Sequence, residues 1–331
     1  MRGQGDRLPG PGFRRNRRLR STERLRESLR ETHVRPQQLI LPVFLDPSVP
    51  DSCPLGSLPG HRLLSVGALS RLAERADSAG LGGLLLFGRP RRKDPRGRGA
   101  WDPKGVVPEA LRRLSGRTPL TLYADVCLCA YTVDGHCGYW TPRGLDNEAT
   151  LEALARTALA YARAGASFVA PSAMVDGQVR TLRMSLDAAG LEEVGILSYS
   201  AKSASAFYDP FRDAEDSAPR KGDRRGYQMD PSNAREALRE IGSDIEEGAD
   251  IVMVKPGLVQ LDLLCRARER FGVPLAVYHT SGEFAMMKAA AERGWVREES
   301  AVPEVLRALR RAGADLIITY YALEAAEKGW L

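Results

Sequence analysis

The feature that most constrains the fold is an alternation of short apolar runs with longer amphipathic stretches, repeated eight times along the chain. Such an alternation predicts strands separated by helices, and therefore an α/β fold with a parallel sheet. Eight repeats favour a single TIM (β/α)8 barrel over two domains. The predicted strands lie at 39–45, 81–88, 120–128, 168–172, 194–200, 249–256, 275–281 and 316–322. The predicted helices lie at 147–165, 233–248 and 259–272, and three phrases, ARAGASFV, EEGADIV and RAGADLI, place a glycine where a helix ends.

A basic segment precedes the predicted barrel. The net charge of the chain is +6, and eleven arginines fall within residues 1–38. We therefore predict an extended N-terminal basic arm over 1–38, followed by a catalytic barrel domain over 39–331. The arm is compatible with a solvated tail, a polyanion contact or an extension that holds another subunit. It has no interleaved aromatic residues or repeats of the kind that bind nucleic acid, so we expect no nucleic-acid partner.

Composition and cysteine usage bear on the compartment. The 331 residues are 43% hydrophobic, yet no apolar run approaches the roughly 20 residues that a membrane helix needs. The arginine-rich start lacks the apolar block of a signal peptide. Five cysteines are too few for a disulfide framework in a chain of this length. We expect a cytoplasmic protein with no membrane partner.

Two lysines stand at the ends of predicted strands. The chain has only seven lysines, and Lys202 and Lys255 lie at or just past strand ends, where barrel enzymes carry their chemistry. Apolar surroundings and a second cation each lower the pKa of an amine, and a neutral amine can form a Schiff base with a ketone. A single lysine there could equally be a salt-bridged rim residue. The pair favours catalysis, because two rim lysines would repel each other.

A cysteine cluster follows the third predicted strand in the sequence DVCLCAYTVDGHCG. Cys127 and Cys129 are two apart on the predicted strand, and Cys137 can return through the loop to give three sulfur ligands for one ion. His136 is a further ligand candidate in the same loop. Three ligands leave a coordination position open, as in a catalytic metal site, although three buried structural cysteines are the alternative. Cys53 and Cys265 have no such neighbours.

These motifs resemble the porphobilinogen synthase family, also called 5-aminolevulinate dehydratase, from about Arg14 to the C-terminus. The resemblance rests on DVCLCAYTVDGHCG together with SYSAKSASAFYDPFRDA, GDRRGYQ, MVKPG and VYHTSGE. It implies a TIM barrel whose N-terminal arm embraces a neighbouring subunit, in a homo-octamer of arm-exchanged dimers. It also implies a lyase of tetrapyrrole and heme biosynthesis, which condenses two molecules of 5-aminolevulinate into porphobilinogen with loss of two waters.

The resemblance also implies roles for individual residues. Lys255 would form the Schiff base with the first substrate molecule and Lys202 with the second, while Asp125 and Ser172 would orient groups or move protons. Zn²⁺ would be held by Cys127, Cys129 and Cys137. The residues implied in substrate binding are Ser281 and Tyr321 for the first carboxylate, Arg212, Arg224 and Gln228 for the second, and Tyr208.

A magnesium site outside the active centre is a further family feature. The matching carboxylate is Glu240, fifteen residues before the second lysine, and Mg²⁺ there is one of two interpretations. The other is an ordinary charge on a helix surface. A single carboxylate does not decide between them.

Several positions depart from the family pattern. Ala173 replaces an acid beside Ser172, Ser203 replaces an aromatic residue after the first lysine, and Asp209 replaces a glycine. The segment LVQ at 258–260 also departs, and residues 88–102 are unusually basic. These changes leave open a paralogue that condenses another amino ketone, or a catalytically silent scaffold. A class I aldolase is disfavoured, because it needs one lysine and a phosphate-binding loop.

Overall fold

A computed structural model of the protein describes residues 15–331. These residues divide into a unit that ends at His33 and a unit from Val34 to Leu331. The first unit contains a 3₁₀ helix, Asn16–Arg20, and helix α1, Glu23–Ser28, whose first turn is capped by the Thr22 hydroxyl. The boundary lies a few residues before the end of the predicted arm. Residues 1–14 of that arm lie outside the described residues.

Eight parallel strands close into a barrel in the second unit. Neighbouring strands follow the chain from β1 to β12, and β12 pairs with β1 to complete the ring. The barrel strands are β1 (Leu39–Leu45), β4 (Gly83–Gly88), β5 (Thr121–Val126), β8 (Phe168–Pro171), β9 (Gly195–Lys202), β10 (Ile251–Lys255), β11 (Leu275–His279) and β12 (Leu316–Thr319). The short strands are β2 (Ser52–Pro54), β3 (Arg62–Leu64), β6 (Tyr139–Thr141) and β7 (Gly144–Asp146).

Helices follow the barrel strands and cover their outer face. They are α2 (Val66–Ser78), α3 (Val106–Leu114), α4 (Asn147–Arg163), α5 (Gln178–Ala188), α6 (Asp209–Ala214), α7 (Ala234–Glu246), α8 (Leu261–Arg270), α9 (Ser281–Glu292), α10 (Glu298–Arg311) and α11 (Ala322–Glu327). Single 3₁₀ turns span Pro36–Gln38, Arg98–Ala100, Ala206–Tyr208 and Leu258–Gln260. None of the described helices combines the length and the apolar character needed to cross a membrane.

Burial on both faces explains the apolar strand sequences. Every residue of β1, β4, β10 and β11 is buried, because side chains point alternately into the barrel and towards the helices. The glycines at 165, 248 and 313 follow helices α4, α7 and α10 with φ of 102°, 106° and 121°. That left-handed conformation suits glycine and ends each helix before the next strand begins.

The predicted barrel is confirmed, and the differences are local. Four short strands, β2, β3, β6 and β7, were not predicted, because each has only three residues and contains no long apolar run. Strand β5 ends at Val126, before the residue where the predicted strand ended. The chain turns there, and the amide groups of Tyr131 and Thr132 both donate to the carbonyl of Leu128.

Candidate active site

Two lysines close neighbouring strands at the C-terminal mouth of the barrel. Lys202 is the last residue of β9 and Lys255 is the last residue of β10, and the two are direct partners in the register of the parallel pair. Adjacent strands lie about 4.8 Å apart, so the two side chains enter the mouth side by side. Both residues are 5% exposed.

A small closed cavity lies in front of these lysines. Its volume is about 20 Å³, room for about one water molecule. The predicted site residues on its wall are Asp125, Cys127, Cys129, Ser172, Lys202, Arg224 and Lys255. The other lining residues are Phe87, Gly88, Ala130, Tyr131, Phe211 and Glu215. The fold therefore gathers seven predicted residues from four strand ends and one later segment into a single cavity.

Aromatic rings surround the amine of Lys255. Its Nζ lies 3.9 Å from the ring centroid of Tyr278, 5.0 Å from that of Tyr199, 5.1 Å from that of Phe211 and 5.2 Å from that of Tyr208. The rings exclude water from the amine. Burial, and then the neighbouring charge of Lys202, hold the pKa of Lys255 well below its ordinary value. Lys255 is therefore placed to act as a neutral nucleophile.

Lys202 differs from Lys255 in its contacts. Its Nζ donates a hydrogen bond to the backbone carbonyl of Ser172, which follows β8. Asp125, in β5, is half-buried, and its Oδ1 is buried with no hydrogen-bond partner among the described residues. Burial raises the pKa of Asp125, while Lys202 and Lys255 oppose that shift. The site therefore contains two amines and a carboxyl group that can exchange protons.

Three cysteine thiols converge beside the cavity. The Sγ atoms of Cys127, Cys129 and Cys137 lie within 4.8 Å of one another, all three residues are buried, and Cys127 and Cys129 are 3.3 Å apart at sulfur. The first two follow β5 and do not lie on it, which corrects the predicted strand position. Hydrogen bonds from Cys127 and Cys129, with help from nearby Arg224 and Lys202, hold the pKa of Cys137 well below its ordinary value. The pKa values of Cys127 and Cys129 are raised by hydrogen bonds within the cluster and by burial. Three thiols this close can hold a metal ion, which would replace their protons.

His136 is not available as a fourth ligand. Its ring Nε2 donates to the carbonyl of Lys221 at 2.8 Å, so Nδ1 accepts from the hydroxyl of Tyr227 at 3.1 Å. The same hydroxyl accepts from the amide of Cys137 at 3.3 Å. The side chain of Arg224 donates to the carbonyl of Gly135 at 3.0 Å. These bonds tie the cysteine loop to residues 217–228, so that the metal site and this segment are held as one piece.

The predicted carboxylate-binding residues fall in three places. Arg224 lies on the cavity wall, and Gln228 is buried with neither amide atom bonded to another described residue. Arg212 pairs with Asp209 at 2.8 Å, and its Nε is buried without a partner among the described residues. The hydroxyl of Ser281, at the start of α9, accepts from the amide of Phe211 at 3.0 Å and contacts the carbonyl of Phe207.

Tyr208 and Tyr321 have different positions relative to the cavity. Tyr208 lies beside Lys255, and its hydroxyl donates to the Lys255 carbonyl at 3.0 Å. The hydroxyl of Tyr321 instead donates to Glu298 of α10 at 2.6 Å. Tyr321 lies past the end of β12, at the start of helix α11, and this contact holds its hydroxyl against α10. Its neighbour Tyr320 points inward, with its hydroxyl 3.3 Å from that of Tyr278.

Glu240 lies outside the cavity, on helix α7. It lines an open groove of about 830 Å³ together with Asp176, Glu236 and Asp244. Burial, followed by the charges of Asp244, Asp176 and Glu236, raises the pKa of Glu240. The groove is therefore acidic, but it shares no wall with the two lysines.

The departures from the family pattern do not line the cavity. Ala173, Ser203 and Asp209 are all absent from its wall. Two departures satisfy each other, since the side-chain amide of Gln260, in the segment 258–260, donates to the hydroxyl of Ser203. Asp209 nevertheless pairs with Arg212, and Gly88, the first residue of the basic segment 88–102, is part of the cavity wall.

Several residues of the site were not predicted from the sequence. Tyr199 and Tyr278 lie in the predicted strands 194–200 and 275–281, close to the strand ends where Lys202 and Ser281 were predicted as site residues. Their position predicts a place near the mouth, but not a ring against Lys255. The sequence motif assigned the carboxylate to Tyr321 and not to Tyr320, because the sequence does not show which of two adjacent tyrosines points inward. Glu215 stands in no strand and follows α6, so nothing in the sequence pattern marked it.

Comparisons with known proteins agree with this geometry. The family model described as Delta-aminolevulinic acid dehydratase matches residues 13–328. A protein of that name from Archaeoglobus fulgidus is 48% identical over 315 residues, 95% of this chain and 97% of the relative. One from Synechococcus elongatus is 48% identical over 322 residues, 96% of this chain and 98% of the relative.

A solved structure extends the comparison to three dimensions. The delta-aminolevulinic acid dehydratase (porphobilinogen synthase) of Toxoplasma gondii, in complex with its reaction product porphobilinogen, superposes with a TM-score of 0.93. The two chains are 44% identical, and the match covers 96% of this chain and 92% of that one. The similarity therefore covers the barrel and the mouth that carries the lysines.

Proposed function

This chain belongs to the delta-aminolevulinic acid dehydratase family, and we propose that it condenses two molecules of 5-aminolevulinate into porphobilinogen with loss of two waters. The reaction is that of a hydro-lyase in tetrapyrrole biosynthesis. The observation that carries the assignment is the pair Lys202 and Lys255, register partners at the mouth of one barrel. Two amines are what the joining of two ketones requires.

Lys255 is the amine best prepared to react. In its neutral form, the Nζ adds to the ketone carbon of a substrate molecule, and the ketone oxygen leaves as water to give an iminium. The iminium withdraws electrons and acidifies the adjacent carbon. Asp125, beside both lysines, is placed to supply or receive the protons of these steps. Ser172, on the same wall, is placed to orient the substrate.

Lys202 takes the second substrate molecule. Its hydrogen bond to the carbonyl of Ser172 must break before the amine can attack, so binding of the second molecule must displace this contact. The closed cavity has room for about one water, and two substrate molecules therefore require the segment 211–228 to move outward. The bonds between this segment and the cysteine loop are those that opening would break.

Buried polar atoms without partners support the carboxylate sites. Arg212 and Arg224 each have a buried Nε with no partner among the described residues, and the Gln228 amide is unsatisfied at both atoms. Buried polar groups are seldom left unpaired, so these donors fit a substrate carboxylate that completes them. For the carboxylate of the molecule on Lys255 we assign Ser281 and Tyr320, in place of Tyr321.

Zinc is the metal that suits the thiol cluster. Cys127, Cys129 and Cys137 are buried, converge within 4.8 Å, and form a soft all-sulfur donor set. Bound there with an open position, zinc would supply a Lewis acid for the amino group of a substrate or a hydroxide. We also propose Mg²⁺ at Glu240, supported by the acidic groove that contains it.

The arm, the assembly and the compartment complete the proposal. We propose a homo-octamer of arm-exchanged dimers, with residues 1–38 as the subunit contact. Leu19 and Leu29 support this role, since they are 59% and 48% exposed on the arm and would gain from a covering partner. All five cysteines are free, which supports a reducing, cytoplasmic location.

The first prediction tests the two lysines. Wild-type protein supplied with 5-aminolevulinate and zinc should release porphobilinogen, and borohydride should trap an adduct on Lys255, seen by mass spectrometry of the peptides. Lys255→Ala should lose the adduct and the product. Lys202→Ala should keep the adduct but lose the product. Each loss of turnover should exceed roughly 10²–10⁴-fold, because a covalent route is removed.

Exposed Lys104 provides the matched control for these variants, and Lys104→Ala should behave like wild type. An adduct on Lys255 without any pyrrole from 5-aminolevulinate would indicate a paralogue with another amino ketone as substrate. If neither lysine is trapped by any amino ketone, the catalytic proposal is wrong.

The second prediction separates the two tyrosines. Tyr320→Phe should raise KM for 5-aminolevulinate roughly tenfold, because one hydrogen bond to a charged carboxylate is lost. Tyr321→Phe should leave KM within about twofold and lower only the melting temperature, because its hydroxyl bonds to Glu298. Steady-state kinetics and thermal unfolding of both variants measure these effects. The reverse order of the two KM values would restore Tyr321 to the substrate site.

The third prediction concerns the metal. Cys129→Ala should bind markedly less zinc in elemental analysis and lose activity, while its melting temperature stays close to that of the metal-free wild type. Cys265→Ala, which removes an exposed cysteine, should change neither property. Full turnover by a metal-free preparation would contradict a catalytic role for the ion.

A further inference from the structure

One acidic side chain on the cavity wall has no assigned role. Glu215 is 3% exposed and lines the cavity together with Lys202, Lys255 and Asp125. Its Oε1 has no hydrogen-bond partner among the described residues. A buried carboxyl group without a partner destabilises a fold, so its retention in the cavity points to a ligand.

Among the described residues, Glu215 forms no ion pair with a basic side chain. It follows the last residue of α6, where the carbonyl ends of the helix disfavour a negative charge. Arg89 and Lys93 act on Glu215 through their charge, but each also has another carboxylate nearby, since Arg89 lies 3.9 Å from Asp46 and Lys93 lies 2.8 Å from Asp216. The Nε of Arg89 is buried without a hydrogen-bond partner among the described residues.

The charges that act on Glu215 come from three strand ends. Burial, with smaller contributions from the charges of Asp125 and Asp46, raises the pKa of Glu215 to about 8, although Arg89 and Lys93 oppose the shift. In the empty cavity the side chain is therefore largely protonated at neutral pH. A cation that entered beside it would favour the ionised form.

The chemistry of the substrate supplies such a cation. Each 5-aminolevulinate molecule carries a carboxylate at one end and an amino group at the other, and the amino group is protonated in neutral solution. Arg212 and Arg224 can satisfy a carboxylate but not an ammonium group, because a guanidinium has no acceptor. The charges of both lysines already act on Asp125 and lower its pKa. Glu215 is the remaining acid on the wall.

We propose that Glu215 binds the ammonium group of a substrate molecule through a charge-assisted hydrogen bond inside the cavity. This inference rests on the proposed function. As the ammonium group arrives, Glu215 releases its proton to solvent, and the N–H of the ligand donates to the carboxylate. No other bond forms or breaks in this step. The contact distinguishes 5-aminolevulinate from a keto acid of the same length that lacks the amino group.

The experiment compares two ligands with Glu215→Gln. Levulinate is the same keto acid without the amino group, and both ligands can be trapped on Lys255 with borohydride. In the variant, the concentration needed for half-maximal trapping should rise roughly 10- to 100-fold for 5-aminolevulinate, as expected for loss of a charged hydrogen bond. For levulinate it should stay within about twofold. Glu215→Asp should keep part of the preference for 5-aminolevulinate.

Asp315→Asn is the matched control, since it neutralises a half-buried carboxyl group at the opposite end of the barrel. It should leave the ratio of the two half-maximal concentrations unchanged. An equal rise for both ligands in Glu215→Gln would overturn the proposal, because Glu215 would then shape the cavity without touching the ammonium group. No rise for either ligand would also overturn it. Wild-type protein that traps neither ligand would overturn the proposed function and this inference together.

Thermal unfolding provides a second measurement without substrate. A pKa raised from 4.5 to about 8 on folding means that Glu215 costs stability as the pH rises through this range. Glu215→Gln should therefore melt above wild type at pH 9, with a smaller difference at pH 5. Lower stability of the variant at pH 9 would show that Glu215 has a partner within the protein, and would contradict the proposal.

Discussion

The site depends on the repulsion between two amines that the barrel forces together. Lys202 and Lys255 close adjacent parallel strands as register partners, so their backbones cannot separate without breaking the barrel. Two ammonium ions at this spacing in a buried mouth repel strongly, and burial weakens the solvation that would offset the repulsion. The lowest-energy arrangement leaves one amine neutral. The fold therefore produces a nucleophile at neutral pH by burying Lys255 and by placing a second lysine beside it.

The rest of the mouth determines which lysine loses its proton. Lys255 is enclosed by the rings of Tyr199, Tyr208, Phe211 and Tyr278, while Lys202 donates to the Ser172 carbonyl. Opposite the amines, the cavity places two acids, Asp125 and Glu215, with pKa values raised by burial. Burial thus favours the protonated form of both acids and the neutral form of Lys255. A neutral amine beside a proton donor is what Schiff-base formation needs.

The sequence was sufficient for the barrel and for the residues at its strand ends. Short apolar runs between amphipathic stretches predicted all eight barrel strands. The lysines predicted at the ends of two of these strands line the cavity. Prediction was less successful for the direction of side chains just past a strand end, because the sequence does not show which of Tyr320 and Tyr321 faces the barrel interior. It also failed in loops. The spacing of residues did not show that both ring nitrogens of His136 form hydrogen bonds to residues 221 and 227. It also did not show that Glu215 lines the cavity.

The titration of Lys255 tests most directly whether the neighbouring Lys202 lowers the pKa of the nucleophile. The pH dependence of levulinate trapping on Lys255 should be measured in wild type, in Lys202→Met and in the control Lys104→Met. Removing the charge of Lys202 should move the midpoint for Lys255 upward towards the ordinary lysine pKa of 10.5, without reaching it, because burial still lowers the pKa. The control should keep the wild-type midpoint. An unchanged midpoint in Lys202→Met would contradict the claim that the neighbouring lysine prepares the nucleophile.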